Sequence, residues 1–457
     1  MKDALVLFAG PRGKMSEKGI NVAHRTIGSL VAFAAPTIFM MLFSGLYTLV
    51  DTICIVRLVG SDALSAVNIV TPVINLIVGL GSMLASGGSA IVARKFGERN
   101  EKEARQDFSF IVFVGFVFGI AIALSGNMFM DSIVSFLGAA GVLKTYAAAY
   151  LSLLILFAPA NILQTLFSFF LITAGRPKLG FSLVAVAGTM NACLDFLFMG
   201  PFGMGIRGAA LATGIGYLVP AVGGVVFFLH GTGSELYITR FRRDFRLIAE
   251  SCGNGASELV GQLSVAVTTF LFNGAMLRLV GVDGVAAITI IIYAQFLLDT
   301  LFIGFSMGVV PLVSYAFGKK AYGEVKQLVW HCIGFIAVAS ISAFLLALCC
   351  GSSVTGLFVP EGSAVYGIAK TGFSLIAWAF LFSGLNIFAS AFFTALGDAK
   401  CSMIISLLRS LVLLAFGIIV LPHLFDFEGI WLSLPFAEAG TFVVSVSFLR
   451  WKMKQEL

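Results

Sequence analysis

The sequence predicts an all-α integral membrane protein, with twelve transmembrane helices in two six-helix lobes related by a pseudo-two-fold along the membrane normal. Three observations predict it. Hydrophobic residues are 59% and charged residues 11% of the 457 positions, and the mean hydropathy is +1.01, outside the range of a soluble globular chain. Apolar stretches long enough for the ~20 residues of a membrane crossing recur throughout. The chain also aligns with itself when shifted by 221 positions.

The apolar stretches fall near 27–56, 63–93, 107–127, 145–174, 179–199 and 208–230, then near 250–277, 285–317, 327–350, 365–396, 401–421 and 429–449. Helices are the economical reading, because an unpaired backbone group in hydrocarbon costs several kcal/mol and the alternation of a barrel strand is absent. Several stretches exceed 25 residues, so they tilt, bend or extend beyond the lipid. The resulting division is a tail over 1–26, a first lobe over 27–230, a linker over 231–249, a second lobe over 250–450 and a tail over 451–457. The opening stretch, Met1 to Lys18, holds only the brief apolar run Ala4 to Gly10, and initiation at Met15 would lose nothing obvious.

Basic residues set the orientation. With a cytoplasmic amino terminus, the inner loops and tails hold 23 Lys and Arg and the outer loops 5, with Arg409 left inside a span. The positive-inside rule then puts both termini and the basic linker in the cytoplasm. The net charge of +6 is a topology signal, not a nucleic-acid footprint. The seven cysteines lie mostly in apolar stretches and read as free thiols. The histidines show no metal-ligand spacing.

The repeat aligns Val59–Gln106 with Val280–Gln327 without a gap, matching Gly60 with Gly281, Asp62 with Asp283 and Gly97 with Gly318. An offset of 222 matches Gly175 with Gly397. Six spans per half make the copies parallel, which encloses a cavity between two lobes; rocking them exposes it to one side at a time.

An ionisable group inside a span costs at least ~2.5–3.5 kcal/mol and needs a partner, water or a task. Asp51 lies six residues before Arg57, Asp195 six before Pro201 and Thr213 six after Arg207, so all three are expected at a common depth, about 9 Å below the outer helix ends. Asn191 shares the helix face of Asp195, four residues away. Two carboxyls, an amide and a hydroxyl at one level can bind a cation or hold a proton. Alternatively, Asp51 and Asp195 cap helix ends. Glu258 and Asp299 are candidates for contact with a solute, or for buried bonds that steady their helices, to Ser257 or a neighbouring backbone for Glu258 and to Gln262, Gln295 or Asn273 for Asp299. Arg409 and Glu438 on adjacent spans can neutralise one another. Tyr47, Asn68 and Gln164 are further cavity candidates, and Met40, Met41, Phe43, Phe167, Phe169, Tyr293 and Phe305 could line a cavity or face lipid. Pro36 is the proline placed to bend the first span.

Leu46–Thr52, followed by Gly60 and Ala63–Asn68, then Asn191–Asp195 and Gly208–Thr213, resembles the multidrug and toxin extrusion (MATE) family, bacterial-type branch. The resemblance runs from about residue 27 to 450. It implies cation coupling through Asp51, Asn191, Asp195 and Thr213, bending at Pro36, and H+ or Na+ as coupling ion, Na+ at Asp51 and Asp195 being the one metal role considered. The expected function is a secondary antiporter exporting organic cations and amphipathic drugs by alternating access, from the plasma membrane, as a monomer. No cofactor, no nucleic-acid partner and no enzymatic chemistry are expected; a small-molecule substrate and the lipid bilayer are the expected partners. The alternative is a lipid-linked oligosaccharide flippase of the same superfamily, which would favour a cationic cavity. One departure is that the tenth span, Val365 to Leu396, contains no acid.

Overall fold

The computed structural model describes residues 26–230 and 236–455; the readings on Met1–Lys18 lie outside the described residues. The first lobe comprises α1 (Ile27–Leu58), α2 (Ser61–Gly97), α3 (Glu101–Met128), the short α4 (Met130–Phe136), α5 (Gly141–Leu156), α6 (Ala158–Thr173), α7 (Pro177–Met199) and α8 (Ile206–His230). The second comprises α9 (Phe245–Asn254), α10 (Ala256–Leu279), α11 (Val282–Gly318), α12 (Tyr322–Phe358), α13 (Ala364–Ile376), α14 (Phe380–Leu396), α15 (Ala399–Leu407), α16 (Leu413–Val420), α17 (Pro422–Phe425) and α18 (Glu428–Gln455). Among the described residues, eleven helices are long and apolar enough to cross a membrane, and α5 with α6, bent by 55°, makes the twelfth span. Large apolar side chains point outward, with Phe136 90% and Phe270 77% exposed. Their solvent is lipid, not water.

Four of the long stretches are interrupted, the eleventh by a π-helical turn at Leu408–Val412. The fourth span breaks at Phe157, where Pro159 enters the next helix without an N–H to donate. The seventh was expected to run on from residue 250. It is instead split at Gly255 between α9 and α10, so Glu258 stands in the first turn of α10. A single 3-10 turn, Ala377–Ala379, interrupts the tenth. By contrast Pro36, Pro72, Pro220, Pro311 and Pro435 are carried inside their helices. The linker region packs on the first lobe, Thr239 N–H donating to Ser109 Oγ at 2.9 Å, and its last residues are helical from Phe245.

The repeat extends to the backbone. Gly60 (φ 125°) and Gly281 (φ 88°) take the left-handed region at equivalent turns; so do Gly175 (φ 71°) and Gly397 (φ 81°), and the non-glycine pair Arg99 (φ 63°) and Lys320 (φ 57°). Positive φ is uncommon for a residue with a Cβ, so its recurrence at Arg99 and Lys320 shows that the copies share turn geometry as well as residues.

The lobes meet through α1 against α11, α2 against α10 and α11, and α9 against α2. A Cβ on Gly97 would collide with the carbonyl oxygen of Tyr315, and one on Gly318 with that of Arg94. Adding 221 to Gly97 and Arg94 gives Gly318 and Tyr315, so the two contacts are images of each other across the pseudo-two-fold. Deeper in, Gly308 packs on Ala34 and Gly87 on Gly255, related by the same shift. From Gly79 to Gly97 and from Asp299 to Gly318 the two helices are almost continuously buried, whereas their other halves are not. The cleft is therefore closed at the end bearing Arg94, Lys95, Lys319 and Lys320 and looser at the other.

The first lobe has one continuous core, with Phe108 against Phe170 and Phe228 at ring distances of 4.7 Å. Phe167 and Phe305 belong to the packed core, both 0% exposed. The second lobe's apolar core is divided into separate clusters.

Candidate functional site

The carboxyls of Asp51 on α1 and Asp195 on α7 interact directly inside the first lobe. Asp195 is 0% and Asn191 3% exposed. α7 ends at Met199, so Asp195 stands four residues from its helix end, closer than the spacing to Pro201 suggested; the two acids meet nonetheless. Asn191 lies one turn earlier on the same face and packs against Gly216 of α8. Thr213 of α8 is joined to the Tyr150 phenol, which itself lies in the field of both acids. Asp51 and Asp195 thus lie together, with Asn191 one turn from Asp195 and Thr213 linked to both acids through Tyr150.

Three further residues that sequence reasoning did not single out join this group. Tyr150 and Asn161 come from the two halves of the broken fourth span, and Tyr217 sits one turn after Thr213. Asn161 is joined to Tyr217, which lies beside Asp51 and Tyr47. The break at Phe157 delivers Asn161: Gly214 of α8 closes on the Phe157 ring, leaving no room for a Cβ. The spacing of Tyr217 from Thr213, four residues on one helix face, was the signal that could have found it.

The pocket is rich in hydrogen-bonding groups. Oδ1 and Nδ2 of Asn191 are buried without a hydrogen-bond partner, and the oxygens of Asp51, Asp195, Asn161 and Thr213 have only one another and the two phenols within reach. Buried polar atoms are nearly always paired, so grouping this many polar side chains in the first lobe is costly unless each finds a partner. A cavity of about 10 Å³ between Asn161, Tyr217, Ile77 and Leu154 is on the order of one water's room. Two carboxylates side by side in a low-dielectric interior repel strongly; a proton or a cation between them relieves that repulsion.

On the outer flank of the same helix pair lies an open cavity of about 550 Å³, lined by Phe43, Leu46, Tyr47, Val50, Thr189, Ala192, Cys193 and Phe196. Tyr47 belongs to both places, lining the cavity and lying in the field of Asp51. Among the other candidates, Gln164 is half-buried on α6 and Asn68 exposed on α2. Glu258 has no ion-pair partner among the described residues and sits at the image of Thr37, residue 258 less 221. Gly255, three residues before Glu258, packs on the backbone of Met83 in α2, so the start of α10 lies at the inter-lobe contact.

Asp299 is in neither place. Arg409 Nε donates to Glu438 Oε1 at 2.6 Å, as the pairing of adjacent spans predicted, and its Nη2 also reaches Asp299 Oδ2 at 3.2 Å. Gln295 Nε2 lies 3.5 Å from the same oxygen. The seven cysteines are free thiols, and no group of three or more acidic, His or Cys side chains among the described residues could hold a metal ion.

Two six-span copies around a shared cleft, one of them enclosing an acidic pocket, define a two-lobed membrane transporter. The chain belongs to the MATE family: the MatE family model matches residues 36–197 and 259–419, one segment in each lobe. Multidrug export protein MepA of Staphylococcus saprophyticus is 24% identical over 411 residues, covering 90% of each chain. MepA of Staphylococcus aureus strain bovine RF122 is 23% identical over 412 residues with the same coverage. The crystal structure of MATE in complex with MaL6 superposes with a TM-score of 0.90 at 20% identity, covering 96% of this chain and 98% of that one. A MOP superfamily transporter from Pyrococcus furiosus Vc1, described as having a binding pocket of reverse polarity, gives 0.89 at 21% identity over the same shares. These likenesses at low identity show the fold.

Proposed function

We propose that this chain is a secondary active antiporter that exports amphipathic and cationic compounds across the plasma membrane by alternating access, driven by H+ or Na+. The observation that carries the reading is the Asp51–Asp195 pair, buried beside the amides of Asn191 and Asn161, the Thr213 hydroxyl and the phenols of Tyr150 and Tyr217. The drug-export part is supported by the similarity to MepA, a multidrug export protein.

The basic end, cytoplasmic by the positive-inside rule, is the closed end, so the arrangement described is outward-facing. From outside, the driving ion enters the acid pocket. The oxygens of Asp51, Asp195, Asn191, Asn161 and Thr213 suit either a proton or Na+, the carboxylates supplying the charge and the neutral groups the orientation. The cavity beside Tyr47 offers an apolar wall for an amphipathic solute next to that charge. Occupation of the pocket by the ion removes negative potential from the cavity, which weakens its hold on a cationic solute and couples ion entry to solute release. The flippase alternative finds no support: Arg409, the base within a span, is engaged by two carboxylates and is not free for a pyrophosphate.

The test is efflux of a fluorescent organic cation from proteoliposomes under separately imposed proton and sodium gradients. Efflux driven by one gradient and abolished by its dissipation is expected. Dye movement indifferent to both gradients, or binding of a lipid pyrophosphate with no response to cationic dyes, would overturn the reading.

A further inference from the structure

We infer that the second lobe holds its own proton-binding site, formed by Asp299, Arg409 and Glu438 and separate from the Asp51–Asp195 pocket. As a coupling site it rests on the proposed ion-driven transport; as a proton site it does not.

The geometry counts the available atoms. Glu438 is 1% and Asp299 8% exposed. Arg409 takes Glu438 Oε1 and Asp299 Oδ2, and Asn386 Nδ2 donates to Glu438 Oε2 at 2.7 Å while Ser445 Oγ donates to Asn386 Oδ1 at 2.9 Å. Three of the four carboxylate oxygens are engaged in close hydrogen bonds, and the fourth, Asp299 Oδ1, is not. Ser383 of α14, 2% exposed, has its hydroxyl within reach of the Asp299 carboxyl. The charged groups acting on Asp299 are Arg409 and Glu438, and Gln295, Ser383 and Asn386 around them are neutral.

The charge does not balance. Two carboxylates and one guanidinium leave one negative charge in the interior, and an uncompensated buried charge is strongly unfavourable. One monovalent cation restores neutrality. A metal ion fits poorly, since a hard cation needs several oxygen ligands and here would find one carboxylate oxygen and one hydroxyl next to a guanidinium. A proton from water on Asp299 Oδ1 needs neither: the new O–H donates to Ser383 Oγ, and Arg409 with Glu438 remains as a neutral pair.

The site is not a leftover copy of the first pocket. Shifting by 221 puts Val78 at the image of Asp299 and Tyr217 at that of Glu438, and shifting by 222 puts Ala187 at that of Arg409. In the other direction Asp51 maps to Phe272 and Asp195 to Gly417. No carboxylate or guanidinium of either site has a charged residue at its image, though Tyr217, the image of Glu438, belongs to the first pocket. Arg409 is also held on a π-helical turn, Leu408–Val412, a local departure frequent at functional sites, and its side chain is 22% exposed, so the triad is not sealed.

The experiment is pH-difference infrared spectroscopy of the full chain in lipid nanodiscs, reading protonated-carboxyl bands. A band that titrates in the wild type and persists in the Asp51→Asn/Asp195→Asn variant, is lost in Asp299→Asn, and changes frequency in Ser383→Ala is expected. Identical bands in Asp299→Asn and the wild type, or a band that Na+ removes at constant pH, would overturn the assignment. Should Asp299→Asn fail to fold, the Ser383→Ala shift decides: an unmoved band refutes the site. Loss of gradient-driven efflux in the wild type would sink the transport reading and leave this one standing.

Discussion

Gly97 and Gly318, separated by 221 positions, close the same helix crossing from opposite sides, Gly97 on the carbonyl of Tyr315 and Gly318 on that of Arg94. The crossing lies on the pseudo-two-fold, so neither lobe can swing away at the basic end without parting both contacts.

Gly97→Ala or Gly318→Ala should hold that end apart. A Cβ driven into a backbone carbonyl carries an overpacking cost of about 1–3 kcal/mol, so the thermal midpoint should fall and efflux drop at least about tenfold (~1.4 kcal/mol of penalty on the closed state). Gly253, whose added Cβ would meet nothing within 4 Å, is the control: Gly253→Ala should retain full efflux and gain roughly 0.5–1 kcal/mol from helix propensity. Parallel melting and transport assays read both.

Cys193 lines the cavity beside Tyr47 and is exposed. In a variant retaining only this cysteine, a bulky maleimide should react readily and block efflux, and a cationic amphipathic dye should slow the labelling. Mass spectrometry of labelling rates checks this; labelling unaffected by saturating dye would remove the cavity from the substrate path.

How much of this was legible beforehand follows the physics of each signal. The spans and the two-fold could be read because apolar length and a gapless repeat are local properties of the chain. The acid pocket was legible in part: Asp51, Asn191, Asp195 and Thr213 are conspicuous because charge and amides are costly in lipid. Asn161 and Tyr150 were not, because their convergence depends on the break at Phe157, a tertiary event braced by Gly214. The link of Asp299 to Arg409 was missed for the same reason, since 110 intervening residues leave no trace of proximity, whereas Arg409 and Glu438 sit on consecutive spans.

Removing the guanidinium should expose the energetics of the second lobe. Arg409→Leu leaves two buried carboxylates unpaired, at a cost on the order of 3–5 kcal/mol, and should sharply lower yield and melting temperature. The triple variant Arg409→Leu/Asp299→Asn/Glu438→Gln, which removes the charge altogether, should recover most of the loss. Thermal unfolding in detergent compares the two; no recovery would mean that packing, not charge, held the site.

Pro36 lies inside α1, which also carries Asp51. A proline in a helix interior forgoes a backbone hydrogen bond and costs about 3 kcal/mol, so Pro36→Ala should raise stability. If α1 bends during the cycle, the same variant should slow efflux. A Pro36→Ala protein both more stable and equally fast would show that α1 moves as a rigid rod.

The most direct test of the account is gradient-driven efflux set beside dye equilibrium binding in Asp51→Asn and Asp195→Asn. Each variant should bind a cationic dye and run a normal melting curve, yet lose acceleration by the ion gradient, efflux falling to the passive leak. Undiminished gradient-driven efflux in both variants would contradict the claim that this carboxyl pair holds the driving ion.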